Sequence, residues 1–330
     1  MRAYVVIMCK KDGGMRDMVV KEAVRRKSGF KRFCRQWELQ IMAIPAMLFL
    51  LLFCYVPILG NVIAFQDYKI LKGVSGSAWV GLKHFREFWA DETFWMSLKN
   101  TLCMSGYKFA FTYFAPILFA ILLNELPFAR FKKLTQTASY LPHFLSYVIV
   151  ASMALILLGP SGVVNRELAL HSMERIGFLD NPKLFWSVAV CLDLWKETGW
   201  NAIIYLAAIS GINPELYEAA TIDGATRLQR ILHITFPSIS WTMLMLFILN
   251  FGSLLSGGPV GSNFDQSYML GNGFNHETSY VLNHYVLDMG MSLMRFSFST
   301  AINMFQSLIS VVLLVTANTV VGKLTDASLF

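Results

Sequence analysis

Apolar runs long enough to cross a bilayer alternate with polar connections along most of the chain. A spanning helix needs about 20 predominantly apolar residues, because about 30 Å of hydrocarbon is crossed at 1.5 Å per residue. Residues 39–65, 98–124, 134–158, 184–212, 234–256 and 296–321 meet that requirement. The first, fifth and sixth runs hold no charged residue, the second holds Lys99 near its end and Lys108 inside, and the third holds only His143. Pro45 and Pro57 are tolerable in the first run because neighbouring helices can satisfy the freed backbone groups. The fourth run is the odd one, with Asp193, Lys196 and Glu197 in its interior. The pattern predicts an all-α, polytopic membrane protein with six transmembrane helices. The loops between runs are rich in aromatic, Gly and polar residues and are expected to form short helices at one mouth of the bundle.

Charge sets the orientation. The first 38 residues hold 11 basic and 4 acidic side chains, which accounts for the whole net charge of +7. Further basic residues fall in the short connections after the second and fourth runs (Arg130, Lys132, Lys133; Arg227, Arg230) and after the sixth (Lys323). Cytoplasmic loops carry such an excess, so both termini are expected on the cytoplasmic side, with the basic tail at an anionic lipid face. The expected domains are a basic cytoplasmic tail (1–38), a six-helix membrane domain (39–322) and a cytoplasmic C-terminal tail (323–330). Only 15% of residues are charged, against roughly a quarter in soluble domains, and nothing indicates a nucleic-acid partner.

Candidate chemistry is sparse. Cys9, Cys34, Cys54, Cys103 and Cys191 have no metal-ligand spacing and read as small buried hydrophobes. His143 beside Pro142 has no ligand partner in sequence, so no metal site is expected. No paired carboxylates or Ser/His/Asp set suggests catalysis, and no GxxxxGK[ST] loop is present to hold nucleotide phosphates. Ionisable groups inside a span are costly and default to a functional reading. Asp193, Lys196 and Glu197 lie three and four residues apart on one helical face, where internal ion pairs are possible. With Trp195, Trp200 and Tyr205 they offer hydrogen-bonding groups and aromatic faces, a candidate substrate path that suits a sugar. A structural role in pairing or snorkelling is the competing reading, and Lys108 reads as a pair partner or a packing residue.

Residues 214–237 connect the fourth and fifth runs and read as a short helix opened by Pro214, broken at Gly224 and stopped where Pro237 starts the next span. The stretch Glu218-Ala219-Ala220, then Gly224, then Ile234 and Pro237, resembles the EAA loop of ATP-binding-cassette importer permeases in every spacing, with Phe236 where the family usually has Leu. Residues 63–68, 79–85 and 139–142 extend the likeness to carbohydrate-uptake permeases. Within these, the branch importing complex saccharides such as alginate is nearest in look. The resemblance implies that Glu218, Ala219, Ala220, Asp223, Gly224, Arg227, Ile234 and Pro237 couple the chain to a cytoplasmic ATPase. It also implies a second homologous permease, two ATP-binding-cassette subunits, an extracytoplasmic saccharide-binding protein and a place in the bacterial inner membrane. ATP and Mg would be bound by the partner ATPase, with no cofactor in this chain. The alternatives are an ion-coupled secondary transporter, for which no inverted repeat is visible, and a membrane-embedded enzyme.

Overall fold

The computed structural model describes residues 37–325. The basic tail therefore lies outside the described residues except for Trp37 and Glu38, and the C-terminal tail except for Lys323 to Thr325. Contacts divide the chain into two units at Gly60.

The described part of the first unit is α1 (Trp37–Leu50), which continues through a π-helical turn, Leu51–Tyr55, into Val56–Leu59. Its Met, Leu, Ile and Phe side chains make it apolar all round, as a membrane-crossing helix requires. The π turn immediately precedes Pro57. Proline lacks an N–H and its ring clashes with the carbonyl four residues back, so the hydrogen-bond ladder steps to the wider spacing there. The same device recurs at Ile231–Thr235 before Pro237.

The second unit begins with a two-residue antiparallel ribbon, Gln66–Asp67 against Ala78–Trp79, a small departure from the all-α expectation. Helices follow: α2 (Lys83–Trp89), α3 (Glu92–Thr112), α4 (Phe114–Asn124), α5 (Ala129–Tyr140), α6 (Tyr147–Leu158) and α7 (Val163–Leu170). Next come α8 (Pro182–Ser210), α9 (Pro214–Ile222), the single turn α10 (Arg227–Arg230) and α11 (Phe236–Gly252). The chain ends in α12 (Asn263–Leu270), α13 (Leu282–Leu287) and α14 (Phe296–Thr325). Asp91, Asn181 and Asn213 cap α3, α8 and α9 by accepting a backbone N–H, and Pro182 and Pro214 occupy first helical positions that need no N–H.

Five segments are long and apolar enough to cross a membrane: Gln40–Phe65, Glu92–Asn124, Tyr147–Leu170, Arg227–Gly252 and Phe296–Lys323. The fourth expected span, α8, has the length but keeps Asp193, Lys196 and Glu197 in its middle. It is also the hub, packing against α3, α4, α5 and α11, so protein surrounds the charges. The expected third span, residues 134–158, is corrected: Pro142 breaks it in a 3₁₀ turn, Leu141–Phe144. The crossing segment starts only where Ser146 caps α6. Short helices do form in the loops at 83–89, 263–270 and 282–287, and the one at 163–170 closes the segment Tyr147–Leu170. Cys54, Cys103 and Cys191, expected to be buried, are exposed, and Cys9 and Cys34 lie outside the described residues.

Gly199 of α8 brings two helices into backbone contact: a Cβ there would stand 2.2 Å from the carbonyl oxygen of Ser139 in α5. Because the obstacle is backbone, Gly199→Ala is expected to destabilise the protein by about 1–3 kcal/mol, read as a lower apparent unfolding temperature in detergent micelles. An unchanged unfolding curve would contradict this close approach.

Candidate functional site

Two regions carry the chemistry, a buried charge cluster around α8 and the exposed loop around α9. In the first, the pairing along α8 is not the one its spacing suggests. Asp193 pairs across the bundle with Lys108 of α3 at 2.9 Å, both side chains fully buried. Its carboxylate also accepts from Tyr147, Gln266 and Ser262, each at 2.8 Å. Lys108 in turn donates to the Ser262 hydroxyl at 2.8 Å, so hydrogen bonds surround this buried ion pair.

Lys196 instead turns to its neighbour Glu197 at 2.8 Å and donates to the His143 carbonyl at 2.7 Å. It stands 5.1 Å from the centre of the Tyr147 ring, which links the two pairs through one aromatic side chain. The other Glu197 oxygen lies 2.6 Å from His143 Nδ1, which donates because a carboxylate only accepts. The His143 ring is stacked flat on Trp200 at 4.2 Å. The four charges Lys108, Asp193, Lys196 and Glu197 cancel, the condition under which such groups persist at bilayer depth. Burial at the edge of the cluster pushes the Asp265 carboxyl of α12 above its usual range, opposed by Lys108.

A cavity of about 250 Å³ opens beside the second pair, lined by His143, Glu197, Trp200, Asn201, Tyr205 and Asn250 among others. Of the residues singled out in sequence, Glu197, Trp200 and Tyr205 therefore meet at one cavity. Asp193 and Lys196 lie buried behind it in their pairs, and Trp195 is 46% exposed and does not line it. His143, dismissed as a lone histidine, lines it as well.

Sequence reasoning missed the polar stripe of α3. Ser97, Asn100, Thr101, Ser105, Lys108 and Thr112 recur at three- and four-residue spacing and are all buried. Asn100 donates to the carbonyls of Glu277 and Tyr280, Thr101 accepts from the Leu282 N–H, and Ser105 donates to the Leu254 carbonyl. This one helix face thus pairs backbone groups of Leu254, Glu277, Tyr280 and Leu282 that lie at or beyond helix ends.

In the exposed region, α9 ends at Gly224, whose φ of +77° is the left-handed conformation that glycine adopts without strain. Thr226 and Gln229 then form a reciprocal capping box that starts α10. Glu218, Ala219, Asp223 and Arg227 are exposed, and Ile222 is 86% exposed at the tip. Tyr217 hydrogen-bonds the buried Thr235 at 2.9 Å, and Arg230 donates to Thr221 at 3.0 Å. These bonds tie α9 to the base of α11, with Ile234 half-buried beside them and Pro237 in the first turn of α11.

Known proteins resemble this chain over most of its length. The family described as "Binding-protein-dependent transport system inner membrane component" matches residues 24–327. The polygalacturonan/rhamnogalacturonan transport system permease protein YteP of Bacillus subtilis is 40% identical over 95% of this chain and 97% of its own. Protein LplB of the same organism is 36% identical over 96% and 98%. A solved bacterial ABC transporter involved in the import of the acidic polysaccharide alginate contains a chain 35% identical, with a TM-score of 0.81 over 91% of this chain and all of that one. A complex of the bacterial alginate ABC transporter with an alginate pentasaccharide-bound periplasmic protein matches equally, at 0.82 and 35%. The chain belongs to the family of binding-protein-dependent transport system inner membrane components, the permease subunits of ABC importers.

Proposed function

We propose that this chain is one of two homologous permease subunits of an ATP-driven importer for oligosaccharides or polysaccharide fragments. It crosses the bacterial inner membrane six times, α8 included, with both termini in the cytoplasm. The ATP is hydrolysed by two partner subunits, and an extracytoplasmic binding protein delivers the sugar. The observation that supports this best is the exposed helix Pro214–Ile222 closed by Gly224, held to the base of α11 by the Tyr217–Thr235 bond. A rigid knob fixed to a spanning helix is what an ATPase needs in order to move that helix. Glu218, Ala219, Ala220, Asp223, Gly224 and Arg227 make the contact in this reading. Glu197, Trp200, Tyr205 and His143 line the sugar's path. The relatives named for pectin-derived and alginate saccharides point to uronate-containing chains.

An ion-coupled carrier is disfavoured because Asp193 and Glu197 each already hold a cationic or hydrogen-bonding partner. The test is uptake of a labelled oligogalacturonide into vesicles holding the assembled complex and its loaded binding protein. Uptake is expected with internal ATP and absent with a non-hydrolysable analogue. Accumulation driven by a proton or sodium gradient without ATP would overturn the reading.

A further inference from the structure

A second groove, of about 410 Å³, lies between α13 and α14, away from the charge cluster and outside every feature used above. It is lined by the polar residues Ser256, Asn283, Asn303, Gln306 and Ser307, with Phe264, Val286 and Leu287 as its apolar side. On the reading of the chain as a saccharide importer, we propose that this groove is a saccharide-binding subsite on the transport path, holding one sugar residue by its hydroxyls.

Its depth excludes lipid as the natural occupant. Asn303 and Ser307 lie 7 and 11 residues into α14, about 10 and 16 Å along its axis, well inside the span Phe296–Lys323. Ser307 donates to the Asn303 carbonyl at 2.9 Å, whereas the exposed Asn303 amide makes no hydrogen bond among the described residues, and an amide facing hydrocarbon without a partner is expensive. A chain of amides runs into the groove wall. Gln306 donates to Asn283 Oδ1 at 2.7 Å and to the Leu255 carbonyl, and Asn283 donates to the Ser256 carbonyl at 3.4 Å. Gln306 is 5% exposed and its Oε1 has no hydrogen-bond partner, an unmet acceptor at the lining.

The chemistry is that of carbohydrate recognition: uncharged amides and hydroxyls beside an aromatic face. Phe264 is stacked on the exposed Tyr268 at 5.6 Å, and His284 meets it edge-on. Burial holds the His284 imidazole below its ordinary range despite Asp288. With no charged residue in the lining, the groove grips hydroxyls rather than the carboxylates of an acidic chain. Its volume is in the ordinary range for small-ligand sites.

The test uses the assembled importer in vesicles with an oligogalacturonide-loaded binding protein, and reads sugar moved per ATP hydrolysed. Asn303→Leu is expected to lower that ratio about tenfold, roughly the loss of one well-placed polar contact, and Phe264→Leu, which removes the aromatic face, is expected to lower it as well, while stimulated ATP hydrolysis persists in both. Asn303→Gln is expected to restore much of it. A general folding defect would lower uptake and hydrolysis together and leave the ratio unmoved. An unchanged ratio in assembled variants would overturn the proposal, and so would loss of the second permease from purified Asn303→Leu complexes, which would make the groove a subunit contact. Wild-type vesicles that import neither oligogalacturonide nor alginate pentasaccharide would overturn the importer reading itself, and the subsite with it.

Discussion

Replacing Lys108 with Met is expected to destabilise the protein by about 3–5 kcal/mol, the usual consequence of leaving one member of a buried ion pair without its partner. Asp193 is fully buried and 2.9 Å from the lysine nitrogen, so no water can take the place of the lost charge. The pair Lys108→Met with Asp193→Asn should recover most of the loss. An asparagine oxygen still accepts from Tyr147 and Gln266, and its nitrogen can donate to the Ser262 hydroxyl that now donates to Asp193. The measurement is the apparent unfolding temperature of purified protein in detergent micelles, as a double-mutant cycle. If the two losses simply add, Lys108 and Asp193 do not act as a pair.

The same pair marks how far the sequence was legible. Asp193, Lys196 and Glu197 share a helix face, and that spacing alone allows them to pair with one another. In the fold, the Lys196 ammonium is taken by the His143 carbonyl and Glu197, while Asp193 is reached by a lysine from another helix. Helix spacing constrains neighbours along one helix and says nothing of which face a second helix presents. Reading residues 134–158 as one span likewise hid a break, because the apolar count averaged over Thr135, Gln136, Thr137 and Ser139 and did not register that Pro142 ends a helix in a 3₁₀ turn. The α3 stripe was legible in principle: Ser97, Asn100, Ser105, Lys108 and Thr112 on one face of an otherwise apolar helix mark a wall facing protein. The loop after α8 was read almost whole, since Pro214, Gly224 and Pro237 each act locally, through a missing N–H or a left-handed backbone.

That loop supports the second large effect. Glu218→Ala combined with Ile222→Asp is expected to abolish ATP-driven uptake while leaving the fold intact. Neither side chain is engaged within the chain: Glu218 is exposed and makes no hydrogen bond or ion pair among the described residues, and Ile222 is 86% exposed. Exposed substitutions of this kind usually change stability by within about 0.5 kcal/mol, so the unfolding curve should stay in place. In an importer the same two side chains would meet the ATPase, one offering a charge and the other an apolar tip. Well-packed contacts at the centre of an interface are worth about 2 kcal/mol each, so losing both, with a buried charge added, should weaken docking about a thousandfold. The measurements are co-purification of the ATPase, saccharide-stimulated ATP hydrolysis and uptake, each beside wild type. Because Tyr217 and Thr235 remain joined in the variant, α11 keeps its lever and loses only what pushes it. Wild-type uptake with the ATPase still bound would show that force reaches the membrane helices by another route, and α9 would then be an ornament of the connection rather than the joint.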